Sequence, residues 1–136
     1  MCALTLAPWE QRFGLYYDLL DHNCHAIDLM RFVQFVHRHL RRTMLLIWDR
    51  WNPHRSAAAQ LAQAGRSWLQ PQWLPSYAPE LDPVEFVWTQ AKYGDLANWI
   101  PDDIDDLRMH LQQVLEEYRH DPTRLYSFFN IARLPI

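Results

Sequence analysis

The sequence predicts an α/β fold, and three observations carry that reading. Residues 44–48, Met-Leu-Leu-Ile-Trp, form an unbroken apolar run of strand length, the pattern of a strand covered on both faces at the centre of a helix-flanked sheet. The segment before it places its apolar residues at helical spacing, and the segment after it carries helix start and stop signals. Along the whole chain the order reads strand, strand, helix, strand, helix, strand and helices, which calls for layers of sheet and helix together.

Residues 2–6 and 13–20 are short β-like runs separated by Pro8 and a polar stretch ending near Arg12, and they read as a hairpin. From Ala26 to Leu40 the residues Leu29, Met30, Val33, Val36 and Leu40 share a helical stripe. Asp28 lies in its first turn and His37, Arg38, His39, Arg41 and Arg42 at its end, both favourable to the helix dipole. After the strand 44–48 and Asp49, Asn52 offers a cap and Pro53 a first helical position, so a helix is expected over residues 54–64, ending at Gly65. A strand over residues 67–74 contains Pro71, which cannot donate a ladder hydrogen bond and so marks an edge strand or a bulge. Val84, Val87, Trp88 and Ala91 then start a helix expected to run to about residue 97. A second amphipathic helix, led by Asp102 and Asp103, carries Ile104, Leu107, Leu111, Val114, Leu115 and Tyr118. A terminal helix presents Leu125, Phe128, Phe129 and Ala132.

At 136 residues the chain suits one compact domain, residues 1–136. Its 49% hydrophobic content and seven tryptophans exclude a disordered polymer. A formal charge of −3 argues against coating nucleic acid through bulk charge, while local clusters remain free to touch phosphates. Around Arg38, Arg41 and Arg42 the simpler reading is a solvated helix end. Cys2 and Cys24 have no metal-ligand spacing and are too few for a disulfide framework, which suits a reducing cytoplasm. Neither a signal peptide nor an apolar run approaching 18 residues is visible.

Three carboxylates stand in "WLPSYAPELDPVEFVW", residues 73–88, where three prolines fix the backbone. Asp82 reads as an N-cap, Pro83 as the first helical residue and Glu85 as the residue that reaches back to the cap. Glu85 also lies beside converging N–H dipoles that favour its ionised form, so capping and binding a hard cation are compatible roles. Glu80 sits in an extended stretch, where solvation is enough to explain it. Asp49, at the end of the apolar strand, faces the region where ligands bind in helix-flanked sheets, although loop aspartates commonly close turns. His54, five residues further on, is a third ligand, a phosphate contact or simply a surface histidine. His22, His25, His37, His39, His110 and His120 show no metal-ligand spacing.

The segments "LLIWDRWNPH" and "WLPSYAPELDPVEFVW" resemble the strand-Asp-turn-His element and the Leu-Pro-x-Tyr-x-Pro-Glu-Leu-Asn-Pro-x-Glu-x-x-Trp signature of DDE superfamily endonucleases. The likeness is to the catalytic half of Tc/mariner-like bacterial insertion-sequence transposases, and "ALTLAP", "FGLYYDLL" and the helices to Phe129 extend it over nearly the whole chain. It implies an RNase H-like mixed sheet flanked by helices, with the first strand missing here. It also implies a cytoplasmic, nucleoid-associated bacterial protein that cuts transposon ends and joins them to target DNA with Mg²⁺ or Mn²⁺. Asp49 would be the second catalytic carboxylate and metal ligand and Glu85 the third, with His54 and Asn52 supporting. Asp18, Asp21 and Asp28 do not match the family's first aspartate, so the chain alone is expected to be impaired as an enzyme. A homodimer, or an upstream polypeptide that supplies the missing strand and aspartate, are the partners this suggests. The rival readings are a catalytically dead binding or oligomerisation fragment and, more weakly, an unrelated Mg²⁺-dependent phosphohydrolase using Asp49, Glu85 and Glu80.

Overall fold

Among residues 1–133, which the computed structural model describes, four strands and five α-helices form. In order they are β1 (Cys2–Ala7), β2 (Arg12–Tyr17), α1 (Ala26–Leu40), β3 (Met44–Trp48), α2 (Asn52–Gln63), β4 (Leu69–Trp73), α3 (Pro83–Gln90), α4 (Ile104–Arg119) and α5 (Pro122–Ile131). They divide into two compact units. One comprises Met1 and residues 20–79; the other comprises residues 2–19 and the chain from Glu80 onward.

The contiguous unit is built on β3 and β4, which pair in parallel from Met44↔Leu69 to Trp48↔Trp73. Parallel partners need a crossover, and α2 supplies it. Trp48, Leu29 and Val33 of α1, and Ala57, Ala58 and Leu61 of α2 form the core, with Met44 and Leu46 packed against it. The expectation that β3 is covered on both faces is not met: Leu45 is 62% and Ile47 43% exposed. The helices occupy one face only, so the strand's side chains alternate between packed and open positions. Pro71 lies opposite Leu46 in β4, a strand with one partner, where its missing N–H is tolerated.

Helix α1 opens with a clasp in which the His25 N–H donates to Asp28 Oδ2 at 2.9 Å. Asp28, 8% exposed, is the buried charged residue of the described chain. Its other neighbour is His22, whose Nε2 lies 3.2 Å from Asp28 Oδ2 while Nδ1 lies 2.9 Å from Asp21 Oδ1. The helix ends at Arg41, in the left-handed region at φ 53°, whose N–H donates to His37 O.

The discontinuous unit sets the antiparallel hairpin β1–β2, in register from Cys2↔Tyr17 to Ala7↔Arg12, against α3, α4 and α5. Leu15, Val87, Ala91, Leu115, Tyr118, Leu125 and Phe128 form its core. Thus the strands lie in two two-stranded sheets, one antiparallel and one parallel, and not in the single mixed sheet expected. Helix α3 also stops short of the expected residue 97: residues Ala91–Asp95 wind as a π-helix, with Leu96 N–H donating to Ala91 O at 3.0 Å. The wider turn accompanies a hydrogen bond from the buried Tyr118 hydroxyl to Asp95 Oδ2, a contact between α4 and the π segment that helical periodicity does not show.

Candidate functional site

The carboxyl end of β3 carries a compact acid–histidine turn. Asp49 follows Trp48 directly, and its Oδ1 accepts the Trp51 N–H at 3.0 Å and a bond from His54 Nδ1 at 2.5 Å. A carboxylate only accepts, so Nδ1 carries the proton. Both bonds fall on Oδ1, and with the Asp49 side chain 55% exposed the second oxygen is presented to solvent. His54 is held on two sides by aromatic rings. It stacks on Trp48 at 4.9 Å between centroids and meets Trp51 edge-on at 5.3 Å. Trp48 in turn stacks on Trp73 at 5.6 Å, so the histidine's orientation is tied to the parallel pair beneath it. The Nε1 of Trp48 is buried without a hydrogen-bond partner.

Asn52 does not cap α2. The cap position is Trp51, with no side-chain bond, and Asn52 already lies within the helix beside Pro53. The physical reason is that Asp49 captures the Trp51 N–H, closing an Asx-type turn one residue before the expected cap.

Arg50, which the sequence offers as an ion-pair partner for Asp49, is engaged elsewhere. Its Nε donates to Leu74 O at 3.2 Å, while Leu74 N–H donates to Trp48 O at 2.9 Å. Two bonds therefore fasten the start of the prolyl loop to the end of β3. Beyond them Tyr77 is fully exposed at φ 59°, a left-handed conformation uncommon for a bulky residue. Only the parallel pairing of β3 with β4 brings Arg50 to Leu74, and nothing in a tyrosine announces a left-handed backbone.

The boundary between the two units falls within the same signature, between Pro79 and Glu80. Glu80 lies in a single 3-10 turn, Pro79–Leu81, and not in an extended stretch. Asp82 caps α3 as expected, its Oδ1 accepting the Val84 N–H at 3.0 Å, with Pro83 in the first turn. Glu85 stands exposed in that turn while Val87 behind it is fully buried, so the helix fixes the backbone from which the carboxylate projects. The structure therefore brings Asp49 and His54 into contact in one unit and mounts Glu85 on a capped helix in the other. Among the described residues, no three His, Cys, Asp or Glu side chains are grouped to hold a metal ion.

The described chain is a mixed α/β fold with small sheets and five α-helices. The family model for DDE superfamily endonucleases matches residues 15–108, a span containing Asp49, His54 and Glu85. The chain belongs to the DDE superfamily endonuclease family, whose members act on DNA and typically use a divalent metal. No curated protein and no solved structure matches it.

Proposed function

We propose that this chain is the catalytic portion of a Tc/mariner-like insertion-sequence transposase, with an RNase H-like ancestry, in which Asp49 and Glu85 are the metal-binding carboxylates. The observation that carries the reading is the Asp49 turn: two donors fix one carboxylate oxygen and leave the other open. The donors fit Mg²⁺ or Mn²⁺, which prefer carboxylate oxygen and keep several waters. When bound, such ions activate a water or a DNA 3′-hydroxyl and stabilise the departing oxygen of an in-line phosphodiester displacement.

The remaining work falls to the chain's own residues. Asp49 supplies an oriented oxygen, and His54 holds that carboxylate in one rotamer by its Nδ1–H bond, a positioning role. Glu85 supplies a carboxylate from a helix start whose dipole favours the ionised form. Two carboxylates are assigned here, and the three-carboxylate chemistry that the resemblance implies would take one further oxygen donor beside them.

Calorimetric titration with Mn²⁺ tests the site. Binding should be lost in both Asp49→Asn and Glu85→Gln, and His54→Ala should weaken it roughly 10- to 100-fold, as removing a hydrogen-bonding support of a ligand does. Full-strength binding in either carboxylate variant, with the fold intact, refutes the assignment of that residue.

A further inference from the structure

The chain's formal charge of −3 conceals a partition. The unit formed by Met1 and residues 20–79 contains seven arginines against three carboxylates, a formal +4; the remainder contains six basic residues against thirteen carboxylates, a formal −7. All seven arginines of the unit are exposed.

Four of them gather at one place. Helix α1 ends among Arg38, Arg41 and Arg42, and α2 ends just before Arg66. The two segments are joined where the parallel strands begin: His37 stacks on Trp68 at 3.8 Å, and Met44 N–H donates to Trp68 O at 2.7 Å. The left-handed Arg41 turns the chain sharply there. Two helix C-termini attract cations, and here they set four exposed guanidinium groups at one end of a unit of net +4. Asp49 lies at the other end of β3, about 16 Å away for a five-residue strand.

We propose that Arg38, Arg41, Arg42 and Arg66 form a contact face for the phosphate backbone of DNA, distinct from the carboxylate turn. The partner is taken from the nucleic-acid reading above, and the face can fail without it. The arginine face holds the duplex by charge and reads no sequence, since phosphate contacts position without specifying. A local cluster thus does what the net charge of the whole chain argues against.

The test is fluorescence anisotropy with a labelled random-sequence DNA duplex, in EDTA, from about 50 to 200 mM KCl. Four phosphate contacts give a log–log salt slope of roughly −3 to −4, an affinity loss on the order of a hundredfold over that range. The variant Arg38→Gln, Arg41→Gln, Arg42→Gln, Arg66→Gln changes only exposed side chains, so it should fold; its slope should fall close to zero and its affinity at low salt at least tenfold. An unchanged slope and affinity in the variant, or no binding by the parent chain, overturns the face. Because EDTA removes divalent ions, this result is independent of the Mn²⁺ titration, and either reading can fail while the other stands.

Discussion

Replacing Tyr17 by phenylalanine should destabilise the protein by about 1 kcal/mol at neutral pH, and by less in acid and in strong alkali. The Tyr17 hydroxyl donates to Glu116 Oε1 at 2.5 Å, fastening β2 to α4 across 99 positions of sequence. A hydrogen bond to an ionised acceptor contributes roughly 1.5–3 kcal/mol. Here the Glu116 side chain is 38% exposed and also accepts from Arg119 at 3.3 Å, so water and the guanidinium replace part of what is lost. About 1 kcal/mol remains, equivalent to roughly 3–5 °C in Tm for a chain of this size. The pH profile follows from both partners. Burial, and then the bond to Glu116, push the Tyr17 hydroxyl up to about 12, while the bond from Tyr17 holds the Glu116 carboxyl below its ordinary value. The carboxylate's share is present above its ordinary pKa of 4.5 and is lost as pH falls through the lowered folded value. The tyrosine's share is present below 10 and is lost as pH rises through about 12. Thermal unfolding of the parent, Tyr17→Phe, Glu116→Gln and the double variant, from about pH 3 to pH 11, closes a double-mutant cycle. A coupling of zero at pH 7, or a penalty equally large near pH 3, refutes the reasoning.

The His22 clasp makes a second pH prediction. Both its ring nitrogens face carboxylate oxygens, which accept when ionised, so the two bonds form together only with the imidazolium ring. The Asp21 bond and then the Asp28 bond raise its pKa above 6.5, and the stabilisation is present below 6.5 and lost as pH rises through the raised value. Amide exchange in the first turn of α1 should accelerate across that interval in the parent and show no such step in His22→Gln; identical profiles would sink the clasp. Gly65, at φ +65° just past α2, has no atom within 4 Å of where a Cβ would stand, so Gly65→Ala should cost about 1 kcal/mol of purely backbone origin. A loss above ~2 kcal/mol in denaturant titration would show that the cost is steric instead.

Elements whose signals lie within a few residues were legible. Helix α1 and strand β3 have the bounds read from periodicity, and Asp82 caps α3 as the Asp-Pro spelling implies. What escaped depends on contacts between distant residues. The exposure of Leu45 and Ile47 follows from helices covering one face of β3, which an apolar run cannot disclose. The π segment is bound up with Tyr118 reaching Asp95 from α4. At the site, Asp49 and His54 were legible as neighbours on a turn, but the geometry that makes them partners, and that makes Asn52 redundant as a cap, arises from a single carboxylate oxygen taking two donors. Arg50 could be assigned only once β3 and β4 were known to run in parallel.

Residues 20–79 interrupt a unit whose other parts lie on both sides of them in sequence. During synthesis the hairpin β1–β2 leaves the ribosome first, yet Leu15 must wait for Val87, Leu115, Leu125 and Phe128 before it has a core to enter. An isolated two-stranded hairpin is marginal in water. The inserted unit carries α1, β3, α2 and β4 in one stretch and holds its own core residues, so it can close while the rest is still being made. The piece that bears Asp49 thus has the contacts to close before the piece that bears Glu85 is complete, and the signature spanning Pro79 and Glu80 joins a stretch that can fold by itself to one that must await distant partners.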